Sequence, residues 1–262
     1  MEAKKYTDYM FNLIKRIVDE TGPREPCSAA EIKCAGMFAD EWKPVCDHVK
    51  RERFTCSPTA FLGFFPLLTA MYIAAAALYW VYAPAAFVIS FTGFAVLFFQ
   101  FMRYKELLDP IWPKRESENV MGTIKPKGEV KRRLIVCGHI DSAYEFNLWL
   151  FLKNAAVPVM ILGIVTVLLL IGASLAKSIA MFGPGDPAAR VYIILGIVTI
   201  ALYPLVGLFT FFHTYVPVPG AMDDIAGVSI ACGLGQYLAD NKKNGGFYPE
   251  NTEVVLLGMG CE

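Results

Sequence analysis

Four long apolar stretches constrain the fold of this 262-residue chain more than any other feature. A helix that crosses a bilayer needs about 20 apolar residues. Residues 60–102 contain no charged side chain and are too long for one span, and Pro84 provides a natural break. This segment predicts two helices in a tight hairpin, and residues 149–176 and 191–212 predict a second pair. We therefore expect a multi-pass integral membrane protein whose first partner is the lipid bilayer.

The even number of spans in each hairpin determines how the polar segments are arranged. All of them are expected on one side of the membrane, where they can fold together as one domain. This domain comprises residues 1–59, 103–148 and 214–262, with hairpins inserted at 60–102 and 149–213. The positive-inside rule places the domain in the cytoplasm, because basic residues flank the first hairpin on that side. These basic residues are Lys50, Arg51, Arg53, Arg103, Lys105, Lys114 and Arg115.

Charge and cysteine usage exclude two classes of function. The chain has 24 Lys and Arg against 24 Asp and Glu, so no field of one sign is present to attract a nucleic acid. Its seven cysteines are scattered without Cys-x-x-Cys spacing, which favours reduced thiols over a disulfide framework or a structural zinc knot. The sequence does not predict the oligomeric state.

The polar segments read as alternating helices and strands. An amphipathic helix near the amino terminus turns Leu13 and Ile17 inward, and Ser28 with Glu31 forms a capping box before a second helix. Residues 134–137 are a short apolar run that predicts a strand buried on both faces. Residues 227–243 predict a helix and residues 252–262 another buried strand. This order is typical of an α/β sheet with flanking helices.

Polar residues follow the predicted strands at the edge where α/β sheets carry their sites. His139 and Asp141 come after the first strand, Asp223 precedes the last helix, and Glu262 follows the last strand. Imidazole and carboxylate groups suit zinc or a similar divalent ion. Asp141 lies on the same face of an extended chain as His139, where it can accept the second imidazole N–H and fix the tautomer.

Four strings occur in a suggestive order: TGPREPCSAAE, GHIDSA, PGAMDDIAG and TEVVLLGMGCE. Together they resemble the co-catalytic zinc aminopeptidases of peptidase family twenty-eight, clan MH, over residues 6–58, 117–146 and 217–262. The resemblance implies a zinc-exopeptidase-like mixed sheet with flanking helices, into which the two transmembrane hairpins are inserted. It also implies that the substrate is the amino terminus of a peptide and that a complete site holds two zinc ions.

The resemblance also implies a role for each candidate residue. His139 corresponds to a ligand of one zinc ion, Asp141 to the carboxylate that orients it, and Asp223 to the carboxylate that bridges both ions. Glu262 corresponds to the general base. A shift of the match by one residue would instead put Cys261 at the base position and Glu262 at a ligand position.

The family uses further ligands that residues 1–262 do not contain. A second Glu follows the base directly, and an Asp and a His come later. The sequence is therefore expected to be the amino-terminal part of a longer membrane-embedded zinc metallopeptidase. Residues 1–262 alone are expected to hydrolyse nothing and to hold metal poorly.

Three alternatives stay open from the sequence. The first is a peptidase-like membrane scaffold or receptor domain without catalysis. The second treats Gly258 and Gly260 as the first glycines of a dinucleotide-binding turn. The third is a transporter or channel formed by the four spans, although Lys153 is the one charged residue in the predicted spans, where ion pathways usually contain several.

Overall fold

The structure, a computed structural model, describes residues 2–262. Within this range the chain forms ten α-helices: α1 (Glu2–Thr21), α2 (Ala29–Trp42), α3 (Ala60–Gly63), α4 (Phe65–Val81), α5 (Ala83–Val96), α6 (Asn147–Leu152), α7 (Ala156–Phe182), α8 (Arg190–Ala201), α9 (Tyr203–Gly207) and α10 (Ala226–Asn244). The same range contains four strands: β1 (His48–Cys56), β2 (Arg115–Ile124), β3 (Arg132–His139) and β4 (Thr252–Met259).

The chain divides into two compact units. The α/β unit consists of the residues up to Pro58, Lys114–Glu145 and Tyr215–Glu262. The helical unit consists of Thr59–Pro113 and Phe146–Thr214. The chain thus leaves the α/β unit and returns to it twice.

The α/β unit contains one four-stranded mixed sheet in the order β1-β2-β4-β3. β2 pairs antiparallel with both β1 and β4, whereas β3 pairs parallel with β4. The predicted mixed α/β sheet with flanking helices is therefore confirmed. The parallel pair is the important one for a site, because the carboxyl ends of β3 and β4 lie at the same edge of the sheet.

The prediction that residues 134–137 form a strand buried on both faces is wrong. They do lie in β3, but Leu134 is 50% exposed and Ile135 is 54% exposed. The reason is topological: β3 is an edge strand whose one partner in the sheet is β4. A run of apolar residues has the same sequence pattern in a central strand and in an uncovered edge strand.

Helices α1, α2 and α10 pack with β2 and β4 to form the apolar core of the α/β unit. Leu13 and Ile17 of α1 are buried as predicted, as are Trp42 of α2 and Leu238 of α10. Each large apolar side chain contributes roughly 1.5–3 kcal/mol on full burial. The Trp42 indole N–H also donates to the Cys232 sulfur at 3.1 Å, so its polar atom is satisfied inside the core.

The predicted capping box at the start of α2 is half formed. The Ser28 hydroxyl accepts a hydrogen bond from the Glu31 backbone N–H at 3.2 Å, as the box requires. The Glu31 carboxylate accepts from the Cys27 N–H at 2.8 Å, one residue before the position expected for a box. Glu31 is fully buried, so this carboxylate serves the interior of the unit as well as the helix end.

The helical unit contains four segments that are long and apolar enough to cross a membrane: Ala60–Val81, Ala83–Met102, Asn147–Phe182 and Arg190–Phe211. The first pair separates at Tyr82, and Pro84 lies in the first turn of α5, where its missing N–H costs no helical hydrogen bond. The predicted number of spans is confirmed by length and composition.

The third span is longer than the sequence suggested. Lys177 was expected in a loop after residue 176, but it lies inside α7, which continues to Phe182. Its ammonium donates to the Tyr79 carbonyl at 2.8 Å and lies 4.6 Å from the centre of the Tyr79 ring. These contacts satisfy the charge within the helix, because an aromatic face attracts a cation and a carbonyl accepts a hydrogen bond from the ammonium.

Candidate metal centre

The predicted site residues gather at the carboxyl ends of β3 and β4. His139 is the last residue of β3 and lies opposite Met259, the last residue of β4. Glu262 follows three residues later in the chain. Asp223 belongs to a short kinked segment, Ala221–Ile225, in which Asp223 itself has a non-helical backbone conformation and which leads directly into α10. His139 is thus positioned by the end of β3, Glu262 by the residues after β4, and Asp223 by the segment that enters α10.

The His139 imidazole has two carboxylates in front of it. Its Nε2 lies 3.0 Å from Asp223 Oδ1 and 3.9 Å from Glu262 Oε2. The side chain of His139 is 12% exposed, whereas those of Asp223 and Glu262 are 75% and 64% exposed. The imidazole nitrogen therefore comes from the protein side and the two carboxylate groups from the solvent side, so a divalent ion can enter from water.

The opposite side of the imidazole faces Asp141. The His139 Nδ1 lies 3.2 Å from the Asp141 carbonyl oxygen and 3.4 Å from its Oδ1. Asp141 is buried, and its Oδ1 also accepts the Glu262 backbone N–H at 3.1 Å. The structure therefore brings together all four predicted residues, with Asp141 connecting the imidazole to the backbone of Glu262.

These contacts determine the charge of the imidazole in the absence of metal. Burial disfavours the imidazolium, but hydrogen bonds and charge attraction from Asp141, Asp223 and Glu262 outweigh burial and raise the pKa of His139 to about 9. Both ring nitrogens face oxygen acceptors, so both carry protons at neutral pH. A metal ion that binds Nε2 must displace the proton through which Nε2 donates a hydrogen bond to Asp223.

Asp224 is a supporting residue to which the sequence assigned no role. Its Oδ2 accepts the His139 backbone N–H at 3.3 Å, and its Oδ1 accepts the Gly227 N–H at 3.1 Å. The peptide bond between Asp223 and Asp224 is cis. A Cβ at Gly138 would lie 2.6 Å from Asp224 Oδ2, so this position needs glycine for the carboxylate to reach the end of β3. The adjacent aspartates, Asp223 and Asp224, are the sequence signal that could have identified this supporting residue.

Arg24 is a second supporting residue that sequence reasoning missed. It is fully buried, and its guanidinium donates to the carbonyls of Ile140 at 2.8 Å and Gly220 at 3.0 Å. Its backbone N–H donates to the Ser142 hydroxyl at 2.8 Å. Burial lowers the pKa of Arg24. Arg24 therefore joins the segment after His139 to the loop before Asp223. The sequence around Arg24 contains no signal that predicts this role.

Three cysteines form another cluster that their spacing did not predict. The sulfurs of Cys27 and Cys56 lie 3.3 Å apart, and those of Cys56 and Cys261 lie 2.9 Å apart. All three sulfurs lie within 4.8 Å of one another. All seven cysteines have free thiols in the structure. The spacing argument against a thiolate metal site fails, because the three residues come from distant segments.

The residues around His139 fit a divalent metal ion by the chemistry of their donor atoms. The His139 imidazole nitrogen and the solvent-facing Asp223 carboxylate match ligands that zinc accepts, the Glu262 carboxylate lies beside them, and the other ring nitrogen has an oxygen partner that fixes the ring. The fold and the site define an α/β unit with a candidate metal centre, in a chain with four potential membrane spans. No family model, no curated protein and no solved structure matches the chain.

Proposed function

We propose that the α/β unit belongs to a membrane-bound zinc-dependent aminopeptidase that hydrolyses the amino-terminal peptide bond of its substrates. The observation that supports this most directly is the position of His139 Nε2, 3.0 Å from Asp223 and 3.9 Å from Glu262. A histidine, a carboxylate ligand and a carboxylate base are the protein groups that this chemistry needs at one place. The sequence resemblance proposes the same residues for the same roles.

Each residue has one task in this proposal. His139 and Asp223 bind the ion, and Asp141 orients the imidazole through Nδ1. Zinc, when bound, supplies Lewis acidity at this position. Glu262, as the general base, accepts a proton from the attacking water while a carbon–oxygen bond forms at the scissile carbonyl. It then gives this proton to the leaving amine nitrogen as the carbon–nitrogen bond breaks.

The helical unit holds this chemistry at a bilayer. Four spans leave both ends of the inserted hairpins on the same side, and the basic residues that flank the first hairpin favour the cytoplasmic side. The lipid bilayer and an extended peptide are the two proposed partners. Two zinc ions per complete site are proposed from the sequence resemblance, which implies ligands beyond those in residues 1–262.

The test compares zinc content and hydrolysis in nanodiscs, with the protein as the cell makes it. A peptide with a free amino terminus is the substrate, and the same peptide with an acetylated amino terminus is the control. His139→Ala is expected to lose bound zinc and hydrolysis together. The matched control is His48→Ala, because His48 is exposed on β1 and belongs to the α/β unit.

Equal zinc content and equal hydrolysis in His139→Ala and the unaltered protein would overturn the assignment. A folded wild-type protein without zinc and without activity would instead support the peptidase-like scaffold. Hydrolysis of the acetylated peptide at the same rate would contradict the aminopeptidase class, because the free amine would then have no role in recognition.

A further inference from the structure

We propose that Cys27, Cys56 and Cys261 form a second metal site, which binds a thiophilic d10 ion such as Zn²⁺, Cd²⁺ or Cu⁺ through three thiolates. This site is separate from the His139 centre in its ligands and does not rest on the proposed peptidase function. The sulfurs are already close, with 3.3 Å from Cys27 to Cys56 and 2.9 Å from Cys56 to Cys261.

The three cysteines reach this place from separate parts of the fold. Cys27 lies in the loop before α2, Cys56 is the last residue of β1, and Cys261 follows β4. All three are half-buried, so their sulfurs face one another while an ion can still enter. The sheet brings them together, since β1 and β4 are both neighbours of β2.

A buried carboxylate holds two of the three cysteines in position. Glu31 Oε2 accepts the Cys27 backbone N–H at 2.8 Å, and Glu31 Oε1 accepts the Cys261 backbone N–H at 2.7 Å. The Ser117 hydroxyl donates to the same carboxylate at 3.0 Å. One side chain therefore fixes the backbone on both sides of the sulfur cluster, without using the sulfurs as partners.

Two of the three cysteines have an unusual backbone conformation. Cys27 has φ of +62° and Cys261 has φ of +54°, in the left-handed region that side chains other than glycine rarely adopt. Such a conformation costs on the order of 1–3 kcal/mol and persists where surrounding contacts impose it. Here the imposed conformation turns two thiols toward a third.

The distances suit a metal after a small adjustment. Zinc binds thiolate at about 2.3 Å, which puts two sulfurs of a tetrahedral site about 3.8 Å apart. The two short sulfur–sulfur distances, 3.3 Å and 2.9 Å, must lengthen by less than 1 Å to reach that value. Thiolates select zinc, cadmium and copper(I) over magnesium and calcium, which prefer oxygen.

Metal binding at this site exchanges protons and transfers no electrons. Burial raises the pKa of Cys27 to about 12 and raises the pKa of Cys261 further, so both thiols are protonated in the metal-free protein. One divalent ion and three thiols give one tris-thiolate complex and three released protons. Because protons and metal compete, the affinity must rise with pH.

Cadmium is the probe for the first experiment, since sulfur-to-cadmium charge transfer gives an ultraviolet absorption band that oxygen and nitrogen ligands do not give. The reduced protein in nanodiscs is titrated with Cd²⁺. We expect one equivalent to produce the band, and Cys56→Ser to weaken binding by about 10- to 100-fold or more. Cys137→Ser is the matched control, because Cys137 is an exposed thiol of the same unit. His139→Ala is expected to keep the band.

A second measurement uses the unaltered protein and so does not depend on the folding of a variant. Cd²⁺ is expected to protect Cys27, Cys56 and Cys261 from alkylation, as mapped by mass spectrometry, while Cys137 reacts at an unchanged rate. Absence of the band in folded, reduced protein would overturn the proposal. So would a band that persists in the triple serine variant, or alkylation of the three cysteines that Cd²⁺ does not slow.

Discussion

Replacement of Arg24 by methionine tests whether a buried guanidinium holds the two sides of the candidate metal centre together. Arg24 is fully buried and donates to the Ile140 and Gly220 carbonyls. Methionine preserves much of the apolar stem but donates no hydrogen bond. The variant should therefore lose the connection between the segment after His139 and the loop before Asp223.

The size of the effect follows from the groups left behind. Ile140 and Gly220 are buried, so their carbonyls lose their donors without gaining water, at about 1–3 kcal/mol each. A third carbonyl partner, that of Gly22 at 2.8 Å, belongs to a half-buried residue that water can reach. Relief from burying a charge offsets part of the loss. We expect a net local destabilisation of about 3 kcal/mol at the edge of the sheet where residues 140 and 220 lie.

Hydrogen exchange measured by mass spectrometry on the protein in nanodiscs can localise this loss. Arg24→Met should speed exchange in the segments around residues 140 and 220, and zinc affinity should fall because Asp223 is no longer held. Arg24→Lys should give an intermediate result, since one ammonium cannot reproduce the planar fork. Arg53→Met, at an exposed position on β1, is the control.

Unchanged exchange and unchanged zinc affinity in Arg24→Met would refute the reasoning. That result would mean that the loop before Asp223 is held by other contacts. Loss of stability at every segment alike would also count against it, because the argument assigns Arg24 to one edge of the sheet.

Three further predictions concern the same unit. Gly138→Ala should lower zinc content and stability more than the control Gly172→Ala in the helical unit. A Cβ at position 138 meets a carboxylate oxygen at 2.6 Å, whereas a Cβ at position 172 meets no atom within 4 Å. Thermal unfolding and metal analysis check this prediction. In chelator-treated protein the His139 imidazole should titrate near pH 9 by NMR, and Asp141→Asn should move the titration toward 6.5. Since the folded-state pKa is raised, the stabilisation of up to about 3 kcal/mol is fully present below pH 6.5 and disappears as pH rises through 9; a stability that is constant over this range would contradict it. Glu31→Gln should weaken Cd²⁺ binding at the cysteine cluster, because an amide offers one oxygen where two backbone N–H groups now find two; an unchanged charge-transfer titration would show that the carboxylate does not position the thiols.

The spans and the sheet edge where the candidate site residues meet could be predicted because their signals are local. A run of more than 20 apolar residues is typical of a membrane-spanning helix. A polar residue directly after a strand is expected at the carboxyl end of that strand. His139 and Glu262 reach the same edge because β3 and β4 are parallel neighbours. The alternation of strands and helices in the sequence suggested that these two strands are neighbours, and the sheet order supports this.

The features that escaped prediction depend on tertiary neighbours. The apolar residues of β3 were expected to be buried, but strand order decides exposure and sequence does not encode that order locally. Cys56 and Cys261 are 205 residues apart in sequence, so no spacing rule connects them. Lys177 was expected in the turn-rich segment after residue 176, whereas a carbonyl and an aromatic ring accommodate it inside α7.

The position of β4 in the sheet has a consequence for biosynthesis. β4 is the last of the four strands to be made, yet it lies between β2 and β3 and gives β3 its one strand partner. Until the ribosome has passed residue 259, the sheet can contain at most the antiparallel β1–β2 pair and an unpaired β3, while all four apolar spans have already been translated. Because closing long loops is slow relative to local pairing, the membrane segments have time to insert before the α/β unit can close. A chain arrested before Thr252 should therefore be integrated in the membrane while its α/β unit lacks the central strand β4 and cannot close.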